Sequence, residues 1–279
     1  MKIVSFNNTE IFTESFGDFE NPAILLIMGA SSSMIWWESE FCEKLANNGF
    51  FVIRFDNRDT GKSTHYPIGK PDYSFDDMAE DAVRVLDAYG IKKAVIMGMS
   101  MGGMLAQIIA VRHPERISGL VLLCSVFITK ADGGLPQSSD EVNVFFEAIA
   151  KTIPAESSGD IVNAALAQWQ STNQSSRPHD LEYIRKMISY DAERALCYES
   201  RTNHFAVRMN DGELGRISQI AAPVLVIQGT EDVVIPYQHG VLLSKTLPSA
   251  TLLTLNGAGH ELHRNDYDLV VKNIHELFA

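Results

Sequence analysis

Short, nearly continuous apolar runs recur along the chain, separated by longer stretches with a helical period. Ala23–Met28, Phe50–Phe55, Ala94–Met97, Leu120–Cys124, Val224–Ile227 and Leu252–Leu255 have the pattern of strands covered on both faces in a parallel sheet. Ahead of them, Ile3–Phe6 and Ile11–Phe16 flank Asn7-Asn8 and predict an edge hairpin. Between the runs lie helical patterns. Glu38–Asn47 sets Phe41, Leu45 and Ala46 at helical spacing and stops at Gly49. Ser74-Phe75-Asp76-Asp77 predicts a capped helix start, with the serine accepting a backbone N–H and the acids at the positive helix end. Met78, Ala82, Val85, Leu86 and Tyr89 continue as its apolar stripe until Gly90. Leu105–Arg112 and Leu269–Phe278 read as further helices. The alternation predicts an α/β fold with a doubly wound, mostly parallel sheet.

The rhythm breaks between about Val126 and Ile217. That stretch has helical patterns but no strand pattern, with joints at Gly133-Gly134, Ser157-Ser158-Gly159 and Ser175-Ser176. It is too long for a structureless loop inside a compact domain. Residues 126–217 are therefore expected to form a helical cap inserted into a core made of residues 1–125 and 218–279. No internal repeat or low-complexity tract is present.

Composition narrows the partners. A chain of 279 residues, 46% hydrophobic and 21% charged, can bury such a sheet without metals or disulfides. Its 35 acidic against 23 basic residues give a formal charge of −12, which disfavours nucleic acid and anionic membrane surfaces. A small-molecule substrate is the remaining partner class, and a homo-oligomer is compatible with the same surface. Cys42, Cys124 and Cys197 are odd in number and widely spaced, as expected of buried reduced thiols. Met1–Asn8 turns polar too early for a signal peptide, and no apolar run reaches the ~18 residues of a membrane span. A cytoplasmic protein is expected.

The main chemical signal is Gly98-Met99-Ser100-Met101-Gly102-Gly103, between a strand and a helix. A G-x-S-x-G elbow needs small flanking residues because the chain reverses sharply, leaving the serine strained and exposed as a nucleophile. Its base should stand at a strand's C-terminal end, where doubly wound sheets build their sites. His260, in Asn256-Gly257-Ala258-Gly259-His260 just past the last apolar run, fits that position; His263 is its rival. An acid must orient the histidine. Gln228-Gly229-Thr230-Glu231-Asp232 offers Asp232, with Glu231 as the alternative, and the order Ser100, Asp232, His260 is the one this elbow implies. The oxyanion donors are expected to be the N–H groups of Met101, at the helix head, and Ala30, in the loop after Ala23–Met28. Gly29, Met34, Trp36, Met99, Tyr198 and His204 are candidate substrate contacts.

Three other motifs fail. Gly61-Lys62-Ser63 lacks the first glycine of a P-loop, where Asp56 stands. Gly98–Gly103 lacks dinucleotide spacing. His260-Glu261-Leu262-His263 is one residue short of H-E-x-x-H. Neither a metal nor an organic cofactor is expected.

Together these motifs resemble the α/β-hydrolase superfamily across essentially the whole chain. Asp56-Asn57-Arg58-Asp59-Thr60-Gly61-Lys62-Ser63 is similar to the D-x-R-x-x-G-x-S turn of capped esterases, haloperoxidase-like enzymes and carbon–carbon bond hydrolases. Met28-Gly29, Asp59-Thr60-Gly61 and Met99-Ser100-Met101-Gly102 look most similar to aclacinomycin-type methylesterases. Many relatives have His-Gly where this chain has Met28-Gly29, so one polar contact of the first loop is missing. The resemblance implies ester hydrolysis through an acyl-enzyme. The same triad also serves perhydrolases and cofactor-free lyases, and the shell serves ligand-binding receptors.

Overall fold

Two consecutive asparagines start the sheet. Asn7 and Asn8 take φ of 44° and 62°, left-handed conformations that asparagine tolerates in a tight hairpin. In the computed structural model, which describes residues 1–126, 158–208 and 216–279, they join β1 (Lys2–Phe6) to β2 (Thr9–Phe16). The parallel strands follow: β3 (Ala23–Ile27), β4 (Phe51–Phe55), β5 (Ala94–Met99), β6 (Ile117–Leu123), β7 (Val224–Gly229) and β8 (Ala250–Leu255). The order across the sheet is β1-β2-β4-β3-β5-β6-β7-β8. β1 and β2 are antiparallel, as are β2 and β4; every other neighbouring pair is parallel. The sheet is the doubly wound one the apolar runs predict.

Alternate residues of each strand feed two apolar layers. Leu25 and Ile27 pack with Met78, Leu105 and Leu243 on one face. Ile24 and Leu26 pack with Phe41, Leu45 and Val270 on the other. Helices α2 (Phe75–Ala88), α3 (Met101–Arg112) and α6 (Tyr237–Thr246) cover the first face; α1 (Ser39–Asn47) and α7 (Tyr267–Phe278) cover the second. Ser74 caps α2 as expected, in a reciprocal box: its hydroxyl accepts the Asp77 N–H, and Asp77 accepts the Ser74 N–H at 2.8 Å. Helix α6 has no clear sequence signal, because Gly240 interrupts its apolar pattern. A Cβ there would lie 2.6 Å from the Gln228 Cβ, so the glycine is set by close packing on β7.

Within the stretch expected to be helical, α4 (Ser158–Thr172), α5 (Leu181–Arg194) and a 3₁₀ segment (Tyr198–Phe205) are described. The Gly133-Gly134 joint and Ser157 lie outside the described residues. A knot of buried charge ties these helices to the sheet. At the end of β4, the Asp56 carboxylate accepts hydrogen bonds from Met34 N–H and Lys62 N–H, both 2.9 Å, and is paired in bidentate fashion by Arg194 of α5 at 3.0 and 2.8 Å. The Asp56 side chain is fully buried, and that of Arg194 is 6% exposed. Removing one partner of such a pair strands the other charge in the interior. Asp56→Ala is therefore expected to destabilise the fold by about 3–5 kcal/mol, read as a lower urea midpoint. The Asp56→Ala/Arg194→Met double variant should lose less than the two single changes summed.

Candidate active site

β5 passes into α3 through one residue. Ser100 has φ 53° and ψ −118°, a conformation that costs a residue with a Cβ about 1–3 kcal/mol. It is held there by the Leu123 carbonyl accepting its N–H at 2.9 Å and the Ser125 hydroxyl donating to its carbonyl at 2.9 Å. The flanking glycines are required by contact. A Cβ on Gly98 would lie 2.1 Å from the Gly102 carbonyl oxygen, and one on Gly102 would lie 2.1 Å from that of Ile27. Both obstacles are backbone and cannot move aside.

His260 and Asp232 meet at the C-terminal ends of β7 and β8. His260 Nδ1–H donates to Asp232 Oδ2 at 2.9 Å, leaving Nε2 as the basic nitrogen. The buried Asp232 carboxylate also accepts Gln228 Nε2–H at 3.0 Å and the N–H groups of Val234 and Ile235 at 2.9 and 2.8 Å. Four donors fix its plane. Glu231, the alternative acid, is turned away and binds Ser176 through its N–H and hydroxyl. Among the described residues no carboxylate pairs with His263. Its Nδ1 accepts the Asn265 N–H at 3.2 Å and caps a short turn.

Ser100, His260, Ala30 and Met101 line one cavity of about 550 Å³. Gly29 brings the first loop against the serine: a Cβ on it would lie 3.2 Å from the Ser100 Cβ. As the first residue of α3, Met101 has an N–H without an intrahelical acceptor. The polar contact missing at Met28 is replaced from elsewhere. Asn57 Nδ2–H donates to the Met28 carbonyl at 3.2 Å, and Ser31, at φ 62°, donates its N–H to His204 Nδ1 at 3.0 Å. His204 Nε2 in turn donates to the Arg58 carbonyl at 2.7 Å.

The expected substrate contacts divide. Trp36, Met99 and Tyr198 line the cavity, as does Gly29. Met34 does not: it is 2% exposed, lies outside the lining, and uses its N–H on Asp56. The apolar side chain that suggested a pocket contact is spent in the core. His204 borders the cavity, but both ring nitrogens are committed to backbone, so it braces the loop after β3 and has no polar atom left for substrate. Burial pushes its pKa down, and the neutral ring is the form that accepts from Ser31.

Glu261, which the sequence offers only within a failed H-E-x-x-H pattern, lines the cavity. It is buried, its Oε1 has no hydrogen-bond partner among the described residues, and burial raises its pKa to about 7. Its position beside His260 was the available signal. Among the described residues the metal-type donors that converge are Cys124, Asp232 and His260, within 4.8 Å of one another. Burial, followed by the Asp232 charge, raises the Cys124 thiol well above its ordinary value, and Asp232 Oδ2 already holds two N–H donors. That donor set fits a hydrogen-bond relay better than a cation site.

Two outcomes follow from this geometry. Asp232→Asn should lower kcat on an activated ester by about 10³–10⁴-fold, whereas Glu231→Gln should change it by less than about 10-fold; a rate assay on both variants separates the two acids. For His204, the unfolded chain takes up a proton near the ordinary value of about 6.5, while the folded ring does so only at lower pH. Its contribution to stability is therefore present above that value and is lost as pH falls. Chemical unfolding at about pH 7.5 and about pH 5.5 should show a smaller acid-induced loss in His204→Gln than in the parent.

Comparison with known proteins agrees with this architecture. The family model described as the alpha/beta hydrolase fold matches residues 22–266. A rhodomycin D methylesterase, DauP, of Streptomyces sp. strain C5 is 29% identical, over 94% of this chain and 92% of its own. The 3-oxoadipate enol-lactonase 2 of Acinetobacter baylyi is 26% identical, over 88% of this chain and 84% of its own. Among solved structures, an esterase from Exiguobacterium antarcticum superposes with a TM-score of 0.78 at 20% identity, covering 98% of this chain and 97% of that one. With its strand order, its elbow and a family match over most of its length, the chain belongs to the alpha/beta hydrolase fold family.

Proposed function

We propose that this protein is a serine esterase that cleaves carboxylic esters of small molecules through an acyl-enzyme at Ser100. The observation that carries the reading is the 2.9 Å His260–Asp232 hydrogen bond, made at the wall of the cavity that also holds Ser100. In the first half-reaction, His260 Nε2 takes the Ser100 proton as Oγ attacks the ester carbonyl. The Ala30 and Met101 N–H groups hold the oxyanion, and the positive end of α3 adds to their field. The imidazolium, stabilised by Asp232, then protonates the departing alcohol. In the second half, water enters, His260 takes its proton, and the acid leaves with Ser100 restored. Each step moves one proton through His260, and Asp232 keeps its charge throughout.

Relatives named as a methylesterase and an enol-lactonase support an ester bond over the amide and carbon–carbon alternatives. The cavity is walled by Met99, Met101, Met104, Trp36 and Trp169, which suits a largely apolar substrate. Residues 126–217 act as the cap, a reading supported by the α4 and α5 side chains on the cavity wall. No helix among the described residues is long and apolar enough to cross a membrane. With Cys42, Cys124 and Cys197 all unpaired, a reducing cytoplasmic setting is the fitting one.

The deciding experiment is labelling with a fluorophosphonate, followed by peptide mass spectrometry. Stoichiometric modification of Ser100 that is lost in His260→Ala is the expected result, with Ser100→Ala losing ester turnover by more than about 10³-fold at little cost in melting temperature. A folded protein that takes no label and turns over no ester would overturn the reading.

A further inference from the structure

The 3₁₀ segment Tyr198–Phe205 presents a row of residues to the cavity. A 3₁₀ helix has three residues per turn, so side chains three apart eclipse along one face. Tyr198, Arg201 and His204 form that row, and all three border the cavity. His204 ends it by bracing the oxyanion loop. Arg201 stands one turn away, roughly 6 Å along the axis, and is tied to the same loop where its carbonyl accepts the Ser31 hydroxyl at 3.0 Å.

The Arg201 guanidinium is oddly served for a partly buried cation. It lies over the Tyr198 ring, 4.5 Å from the centroid, and Nη1–H donates to Gln168 Oε1 at 3.1 Å. Nε is buried and has no hydrogen-bond partner. Among the described residues no carboxylate reaches Arg201 to form an ion pair, although acids outnumber bases 35 to 23 in this chain. The other arginine of the cavity wall, Arg264, is paired with Glu38. Apart from Glu261, which lines the cavity with an unpartnered Oε1 and forms no ion pair with Arg201 among the described residues, the acids of this wall are occupied. Glu38 also accepts the Tyr183 hydroxyl, Asp180 accepts the Tyr183 N–H, and Asp191 serves Ser33 and Trp36. With its Cζ over the Tyr198 ring and Nη1 taken by Gln168, the guanidinium keeps its Nε–Nη2 edge, the kind of edge that receives a carboxylate through two parallel hydrogen bonds, without an acceptor at Nε among the described residues.

We infer that Arg201 binds a carboxylate carried by the substrate, so that the preferred ester is a half-ester of a small dicarboxylic acid. This rests on the esterase reading of the cavity and adds the substrate class to it. The reacting carbonyl would sit at the oxyanion loop and the second acid group one 3₁₀ turn away, joined by a short apolar spacer along the methionine-lined wall. The cation would add orientation at little cost to the apolar contacts, because its stem and stacked face are already packed.

The test uses two esters of matched length, monomethyl adipate and methyl hexanoate, which differ by a carboxylate in place of a methyl group. The parent enzyme should favour monomethyl adipate in kcat/KM. Arg201→Gln should reduce kcat/KM for monomethyl adipate by about 100-fold, mainly through KM, and leave methyl hexanoate within about 3-fold. Arg201→Lys should fall between them. Equal losses on both esters would mean that Arg201 only clamps the 3₁₀ segment to Gln168, and the inference would be wrong. A parent enzyme with no preference for the acid would also overturn it. Calorimetric binding of monomethyl adipate to Ser100→Ala, with and without Arg201→Gln, separates this inference from the esterase reading. Arg201-dependent binding without turnover of either ester in the parent would keep the anion site and remove the esterase function, whereas binding indifferent to Arg201 would remove the site alone.

Discussion

A buried carboxylate cannot stay charged without partners, and Asp56 meets that requirement by drawing three parts of the chain to one point. Its donors come from the 3₁₀ turn that follows the loop after β3, from its own turn, and from α5. Asp59 repeats the arrangement nearby, accepting the Tyr73 hydroxyl at 2.7 Å and Asn203 Nδ2–H at 3.0 Å, with φ of 63°. Between them, the Arg58 carbonyl receives His204, while its guanidinium grips Asp81 of α2. A short polar turn after β4 thus anchors α5 and the 3₁₀ segment that border the cavity. Gly61 belongs to it by necessity: a Cβ there would lie 2.3 Å from Asp56 Oδ2 and 2.4 Å from Arg194 Nη1.

The sheet was legible because its strands are buried on both faces, which writes continuous apolar runs into the sequence. β3, β4 and β7 are buried at every position. Helices that pack through a stripe, such as α2, were equally plain. Those that approach the sheet through glycine were not. The first turn of α3 is hidden by Gly102 and Gly103, and α6 by Gly240, since close backbone approach removes the side chains that make a pattern.

At the cavity, the residues that spacing singled out as Ser100, Asp232 and His260 all lie at the strands' C-terminal ends, where local rules apply. Contacts that depend on long-range folding behaved differently. Met34 and Trp36 are two residues apart in one 3₁₀ turn, yet one is core and the other faces the cavity. Only the path of the turn decides between them. The brace from His204 to Ser31 spans 173 positions of sequence, and nothing local to either residue announces it. Electrostatically, the site assigns charge sparingly. Asp232 is surrounded by four donors, while burial works against charge on both His204 and Glu261. His260 Nδ1 thus faces one fixed carboxylate partner, Asp232, at 2.9 Å.

The eclipsed row on the 3₁₀ segment has a consequence for how this pocket can diversify. With three residues per turn, adding or deleting a single residue rotates everything beyond it by about 120°. Such a change would carry His204 away from Ser31 and slacken the loop after β3 in the same event. Descendants of this chain can thus alter the pocket by exchanging residues at every third position, but not by changing the segment's length. Across relatives, loop length in this stretch should vary less than the identity of its cavity-facing side chains.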